Sequence, residues 1–321
     1  MIKFSPNSSL PLVSAVIPTR NRPELVVRAV RSALAQTYPN LEVVVIIDGP
    51  DRSTVEALSD IYDDRLRFFE LSNSVGGAQA RNEGVRRSCG EWIGFLDDDD
   101  EWLPDKIWKQ IEIANRLGKE FIICSRMIVI SPNTNDVWPK RFPKNGESIS
   151  EYLLNRTRFF KGEAQIQTSS FLISKDIFDR VKFRSGLKKH QDLDLYLRAA
   201  NLDGIKFFFD ENILSKWYIE QSIPTVSQNK DWRYTLDWAS ENSHLFEGSS
   251  LSGFLASQAS TEIPPESISI ALRLYIPIMM RNNARPIDYA ILFLILLIRG
   301  EYRRKVSGFI RNIPKRNYAS L

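Results

Sequence analysis

Several things are scarce in this chain, and each scarcity excludes something. Two cysteines, Cys89 and Cys124, serve 321 residues. That rules out a disulfide scaffold and a Cys-rich zinc site, and it fits a reducing compartment. Two histidines, His190 and His244, make a His-based metal site unexpected. No G-x-G-x-x-G follows the first apolar segment, which ends in Pro18-Thr19-Arg20-Asn21, and no G-x-x-x-x-G-K-[ST] occurs anywhere. A dehydrogenase and a P-loop NTPase are therefore disfavoured. The segment MIKFSPNSSLPL lacks a sustained apolar stretch, so no secretory signal is expected and a cytoplasmic location is. The sequons at Asn7 and Asn155 then read as chance matches. Repeats and low-complexity tracts are absent.

What is present is a chain able to bury a large core, with 43% hydrophobic and 26% charged residues. Its net charge of +4 is unevenly spread. Ala271 to Leu321 carries ten Lys/Arg against two acids, a net of +8, which leaves 33 bases and 37 acids, a net of −4, for the rest. A slightly acidic body with a basic tail argues against a nucleic-acid partner for the whole chain.

Strand and helix patterns alternate through the first 120 residues. Val13–Ile17, Leu41–Ile47, Leu66–Leu71 and Glu91–Leu96 read as strands. Helices are expected from about Asn21 to Gln36, Ser53 to Ile61, Gly77 to Arg87, and from Pro104 to Gly118. Asn21 reads as a helix cap, and Thr19 could serve both as a cap and as a site residue. Helices between apolar strands imply a doubly wound, mostly parallel sheet whose ligands sit beyond the carboxyl ends of the strands. The polar clusters fall at those ends: Pro18–Asn21, Asp48, and Asp97–Asp100.

Four consecutive aspartates repel one another unless something cationic is near. In extended backbone, Asp97 and Asp99 leave on the same side. Two hard carboxylates suit Mn²⁺ or Mg²⁺ completed by phosphate and water. A solvated acidic loop is the plainer reading. Arg81 could equally lie on a solvated helix face, and Asp48 could merely shape a turn with Gly49.

Five segments, in order, resemble family 2 glycosyltransferases: Val16-Ile17-Pro18-Thr19-Arg20-Asn21-Arg22, Gln36 to Glu42, Asp48-Gly49, Gly77-Ala78-Gln79-Ala80-Arg81-Asn82-Glu83-Gly84, and Gly90 to Asp100. The resemblance spans about Ser14 to Ala114, with a weaker extension at Gly186–Arg198. It implies a GT-A fold with a C-terminal helical extension, divided as residues 1–225 (catalytic) and 226–321 (helical, basic). It also implies a nucleotide-diphosphate sugar donor, expected to be UDP-linked, Mn²⁺ or Mg²⁺, and inversion. On the matching positions, Pro18, Thr19 and Arg20 would line the nucleotide pocket and Asp48 would bind the base. Arg81, Asn82 and Asp98 would join the donor site, and Asp97 and Asp99 would form the metal-binding D-x-D. Where the family often has two acids before the glycine, this chain has Ile47-Asp48, which weakens the case for uridine in particular.

An inverting transfer also needs a base for the acceptor hydroxyl. By the same resemblance it is Asp192, with Asp194 as fallback, although Gln191 replaces a common glutamate. An N-cap role for Asp192 stays open, as does a structural His190. Trp217 could stack on an acceptor sugar or pack in the core. Gln221, Trp232 and Arg233 do not spell the processive Q-x-x-R-W, so single-sugar transfer is expected, in cell-surface polysaccharide or glycolipid synthesis. The acceptor would be a glycan or a lipid-linked sugar. A nucleotidyltransferase or a catalytically silent membrane-associated scaffold are the alternatives.

Ile287–Ile298 is apolar except for Asp288 and too short to span a bilayer, which takes about 20 residues. Arg299, Arg303, Arg304, Lys305, Arg311, Lys315 and Arg316 follow it. An interfacial membrane anchor and a helix packed on the body fit this pattern equally well.

Overall fold

The computed structural model describes residues 10–132, 134–158, 163–219 and 230–297. These divide into two units, one holding residues 10–153 and 163–219, the other residues 154–158 and 230–297.

The first unit opens with β1 (Val13–Thr19), α1 (Pro23–Leu34), β2 (Leu41–Ile47), α2 (Arg52–Ser59), β3 (Leu66–Glu70), α3 (Gly77–Arg87) and β4 (Trp92–Phe95). β5 (Glu101–Trp102), α4 (Lys106–Leu117), β6 (Phe121–Ser131), β7 (Thr134–Trp138) and α5 (Ile149–Leu154) follow. β8 (Phe171–Ser174), α6 (Lys175–Val181), α7 (Gln191–Ala200) and β9 (Lys206–Tyr218) complete it. The nine strands among the described residues form one sheet in the order β3-β2-β1-β4-β8-β6-β9-β5, with β7 on β6. β1, β2, β3 and β4 run parallel, as the alternating pattern predicts. The second half is mixed: β8 is antiparallel to both β4 and β6, while β9 is parallel to β6.

Period-two alternation sends the strands' side chains into two cores. Val13, Ala15 and Ile17 of β1 join α1, α2 and α4 on one face of the sheet. Val16, with Ile93 and Phe95 of β4, joins α3, α6 and α7 on the other. β1 lies between β2 and β4, so the chain reverses direction across the sheet there, and a crevice forms beyond its carboxyl end.

Asn21 is not the cap of α1. Arg22 holds that position without a side-chain cap bond, and Asn21 sits in the left-handed region at φ 53° with its N–H donating to Asp51. A short polar side chain tolerates that conformation at low cost.

Gly84 explains how α3 comes close to β1. A Cβ there would meet Val16 Cγ1 at 2.3 Å and Ile46 Cγ1 at 3.4 Å. Lys106 is fully buried in the opposite layer, its ammonium donating to Gln110 Oε1 at 2.6 Å and standing 4.5 Å from the Trp102 ring centre. Burial pushes its pKa down to about 7.

In the second unit, α9 (Ser250–Ser257) is buried along its whole length. It follows α8 (Trp232–Glu241) and precedes α10 (Ile268–Arg281) and α11 (Pro286–Leu297), and α10 and α11 both pack on it. Trp238, Phe246 and Phe254 pack edge to face or tilted against one another, with ring centres 5.7 to 6.0 Å apart. Among the described residues no helix is long and apolar enough to cross a membrane. Arg299 to Arg316, and Gln221, lie outside the described residues.

Two outcomes test this packing. Gly84→Ala overpacks the α3–β1 contact and should cost about 1–3 kcal/mol in urea unfolding. Below pH 7 the folded chain carries the full penalty of a charged, buried Lys106. As pH rises from about 7 toward 10.5, the folded form gives up its proton while the unfolded chain keeps one, so stability rises. Lys106→Met should therefore be the more stable protein at pH 6.5 in thermal unfolding, with the gap to wild type closing at higher pH.

Candidate active site

The parallel register brings the site together. Val16 pairs with Phe95, so two residues further on each strand Pro18 lies level with Asp97, and Thr19 with Asp98. The Thr19 hydroxyl duly donates to Asp98 Oδ2 at 2.8 Å. Arg22, at the start of α1, reaches the same turn. Its Nη1 is 3.0 Å from Asp98 Oδ1 and 3.3 Å from Asp99 Oδ2. Arg28, two turns along α1, donates to the Asp99 carbonyl at 2.6 Å.

Asp97 is engaged by other elements. Arg81, projecting from α3, donates to Asp97 Oδ1 at 2.5 Å, and the Ser169 hydroxyl accepts from the Asp97 N–H at 3.0 Å. Asp100 is fully buried and holds the turn to its neighbours. It accepts from Gln167 Nε2 at 2.7 Å, from the Ser169 hydroxyl at 2.6 Å and from the Tyr218 N–H at 3.3 Å. Gln167 and Ser169 belong to a 3-10 turn just before β8.

Burial and crowding set the charges. Asp99 is pushed up to about 6 by burial and then by Asp97 and Asp98. Burial also raises Asp98, with Arg22 and Thr19 opposing it. Asp100 is raised well above the carboxylate range, first by burial and then by Asp97 and Asp99.

Asp192 is the second residue of α7, half-buried, and its neighbours bear on the same place. Burial raises its pKa, Arg81 partly offsets this, and Asp97 adds to it. Burial alone would lower the Arg81 pKa, but Asp97 and then Asp192 outweigh it, so the guanidinium stays charged between two carboxylates. Arg81 Nε, Thr168 Oγ1, Asp192 Oδ1 and Tyr196 Oη are buried here without a hydrogen bond of ordinary geometry among the described residues, the Thr168 hydroxyl still standing close enough to Asp192 and Tyr196 to draw both pKa values down a little. His190, not Asp192, occupies the N-cap position of α7, at φ 66°. Its imidazole is lowered to about 4 by burial and then by Lys189, so it is neutral at pH 7.

Other expected residues are placed differently. Pro18 is buried at the end of β1, and Arg20 beside it is exposed. The Asp48 carboxylate accepts from Ser74 Oγ at 2.9 Å, Val75 N at 2.6 Å and Gly76 N at 3.0 Å, which ties the loop leading into α3 to the end of β2. Asn82 clasps the backbone of Phe183, accepting at 3.0 Å and donating at 2.8 Å, and so does not join its neighbour Arg81 at Asp97. Asp194 is fully buried between Arg198, at 2.7 Å, and Arg184, at 3.3 Å. Trp217 lies half-buried on β9 against Trp138 of β7, with ring centres 5.7 Å apart.

Arg22, Arg28, Gln167, Thr168, Ser169 and Tyr196 are among the members that sequence reasoning passed over. Arg22 had a signal, since it ends the first resembling segment. Tyr196 stands one helical turn after Asp192. Gln167 and Thr168 carry no local mark; only the β4–β8 pairing brings them here.

Among the described residues no three His, Cys, Asp or Glu side chains form a metal-binding group. Any divalent ion would meet at most two protein carboxylates in this turn. The donor set still fits a hard cation, because burial and the neighbouring Asp97 and Asp98 raise Asp99 and Arg22 offsets them only in part.

A family-wide profile, glycosyl transferase family 2, matches residues 14–182, more than half of the chain. An uncharacterised glycosyltransferase of Rickettsia felis is 32% identical over 230 residues, 70% of this chain. The chain spans only 37% of that relative's length. The amylovoran biosynthesis glycosyltransferase AmsB of Erwinia amylovora is 27% identical over 236 residues, covering 70% of this chain and 75% of AmsB. Among solved structures, S. aureus TarS residues 1–349 in complex with UDP-GlcNAc superposes with a TM-score of 0.53 at 15% identity, over 92% of each chain. The sheet order and the match across its first half agree: the chain belongs to glycosyl transferase family 2.

Proposed function

We propose that this chain transfers a single sugar from a UDP-linked donor to an acceptor hydroxyl, with inversion at the anomeric carbon. The acceptor would be a glycan or lipid-linked sugar in cell-surface polysaccharide or glycolipid synthesis. AmsB supports the polysaccharide setting by its name, and the UDP-GlcNAc complex of TarS supports the donor class. The observation that carries the reading is Asp192, a carboxylate of raised pKa with one oxygen lacking a hydrogen bond of ordinary geometry, sharing Arg81 with the aspartate turn.

In this reading Asp192 takes the proton from the acceptor hydroxyl as its oxygen bonds to the anomeric carbon. The bond from that carbon to the diphosphate oxygen breaks on the opposite face, and UDP leaves. A carboxylate of raised pKa is a stronger base than an ordinary one. Arg81 holds Asp97 in place and keeps positive charge beside Asp192. Thr19, Arg22 and Asp98 shape the nucleotide side of the crevice, with Pro18 and Arg20 flanking them, while Asp48 orders the loop before α3. Asn82 would support the donor site through Phe183 rather than by direct contact. Asp97 and Asp99 would hold Mn²⁺ or Mg²⁺, which when bound neutralises charge on the leaving diphosphate.

Four measurements decide this. Asp192→Asn should lower turnover by about 10²–10⁴-fold while donor affinity, read by calorimetry, stays near wild type. Near-wild-type turnover would move the base elsewhere. The rate should fall with acid as Asp192 is protonated, with a midpoint above the ordinary value of about 3.9. Asp99→Ala should weaken binding of the UDP-sugar and remove its dependence on Mn²⁺ in a thermal-shift screen. Release of pyrophosphate instead of UDP would mark a nucleotidyltransferase.

A further inference from the structure

Helix α11 presents an apolar face outward. Its exposed residues are Pro286, Ala290, Phe293, Leu294 and Leu297, which recur at helical spacing. Leu297 is 78% exposed, and Phe293 and Leu294 about 40% each. A surface helix ordinarily turns its charged residues to water. Here the reverse holds. Asp288, the only acid from Ile268 to Leu297, is fully buried and held by Arg285 through a 2.6 Å ion pair. The inward face, Ile291, Leu292 and Leu296, is used against the rest of the unit.

Helix α10 continues the pattern. Ile270, Leu274 and Met280 are exposed at 48%, 44% and 69%, and the only exposed charges on the helix are Arg273 and Arg281. The outer faces of α10 and of α11 each carry large apolar side chains and no exposed negative charge, with Arg273 and Arg281 exposed on α10 and Glu266 exposed just before it. The sequence beyond Leu297 adds seven Lys/Arg against one acid.

We propose that the outer faces of α10 and α11 bind an anionic lipid bilayer, lying in its interface. Charge complementarity selects this occupant. A second copy of the chain would bring the same positive arginines against these, whereas anionic headgroups pair with them while acyl chains receive Phe293, Leu294 and Leu297. α11 has 12 residues, about 18 Å of helix, so it lies on the bilayer rather than across it. The inference goes beyond sugar transfer, and its readout does not use catalysis.

The test is co-sedimentation of the full chain with vesicles of phosphatidylcholine mixed with phosphatidylglycerol, and with phosphatidylcholine alone. The wild type should bind the mixed vesicles, and bind the neutral ones about tenfold more weakly or worse. Phe293→Ser with Leu294→Ser and Leu297→Ser should weaken binding to mixed vesicles about tenfold or more. These side chains are exposed, so an unchanged circular dichroism melt is expected. Arg273→Glu with Arg281→Glu should lower binding to mixed vesicles and leave the neutral ones little changed. Full binding by the apolar triple variant would overturn the proposal. So would absent vesicle binding together with a dimer, seen by light scattering, that the same substitutions dissolve.

Discussion

Negative charge confined to one turn is the constraint around which the first unit is organised. Asp97 to Asp100 stand together where water is scarce, and each carboxylate needs a partner. The partners come from every layer. Arg22 arrives from the start of α1, Arg81 from α3, Gln167 and Ser169 from the turn before β8, and the Tyr218 N–H from β9. The two cationic groups divide the work, Arg22 serving Asp98 and Asp99 while Arg81 serves Asp97. Asp100 relies on neutral donors and a raised pKa. The turn therefore joins the two faces of the sheet as well as shaping a site.

Much of the first half was legible because its signals are local. Leu41–Ile47 is an apolar run and β2 spans those residues; Gly77 opens α3 and Gly118 ends α4. The parallel register then brings Thr19 to Asp98 without further information. The second half was not legible in the same way. β8 sits antiparallel between β4 and β6, and no property of Phe171–Ser174 announces either neighbour. With that pairing went Gln167 and Thr168. Asp48 and Asn82 show a different limit: the residue types suggest ligand contacts, yet backbone N–H groups and Phe183 already engage them. Asn21 shows a third, since its motif position hid a left-handed backbone.

Hydropathy was equally silent about α11. A run that reads as uniformly apolar contains two faces with opposite fates, Ile291, Leu292 and Leu296 inward and Phe293, Leu294 and Leu297 outward. Its one acid, which looked like a break in the pattern, is neutralised inside the unit by Arg285. Only the packing against α9 decides which side of such a helix meets solvent.

The second unit is not one continuous stretch of chain. Residues 154–158 belong to it although the chain around them belongs to the first unit. Asn155 donates to Ser249 at 3.0 Å, Arg285 donates to the Arg156 carbonyl at 3.2 Å, and a Cβ on Gly253 would meet the Leu154 carbonyl at 2.5 Å. On the ribosome, this short segment emerges more than seventy residues before the helices that enclose it. Until Lys230 and its successors follow, Asn155 and the Arg156 carbonyl lack the partners that Ser249 and Arg285 supply. The second unit is thus the last to mature in synthesis, and a chain cut at the boundary would leave Leu154 to Arg158 as a remnant of a unit it does not contain.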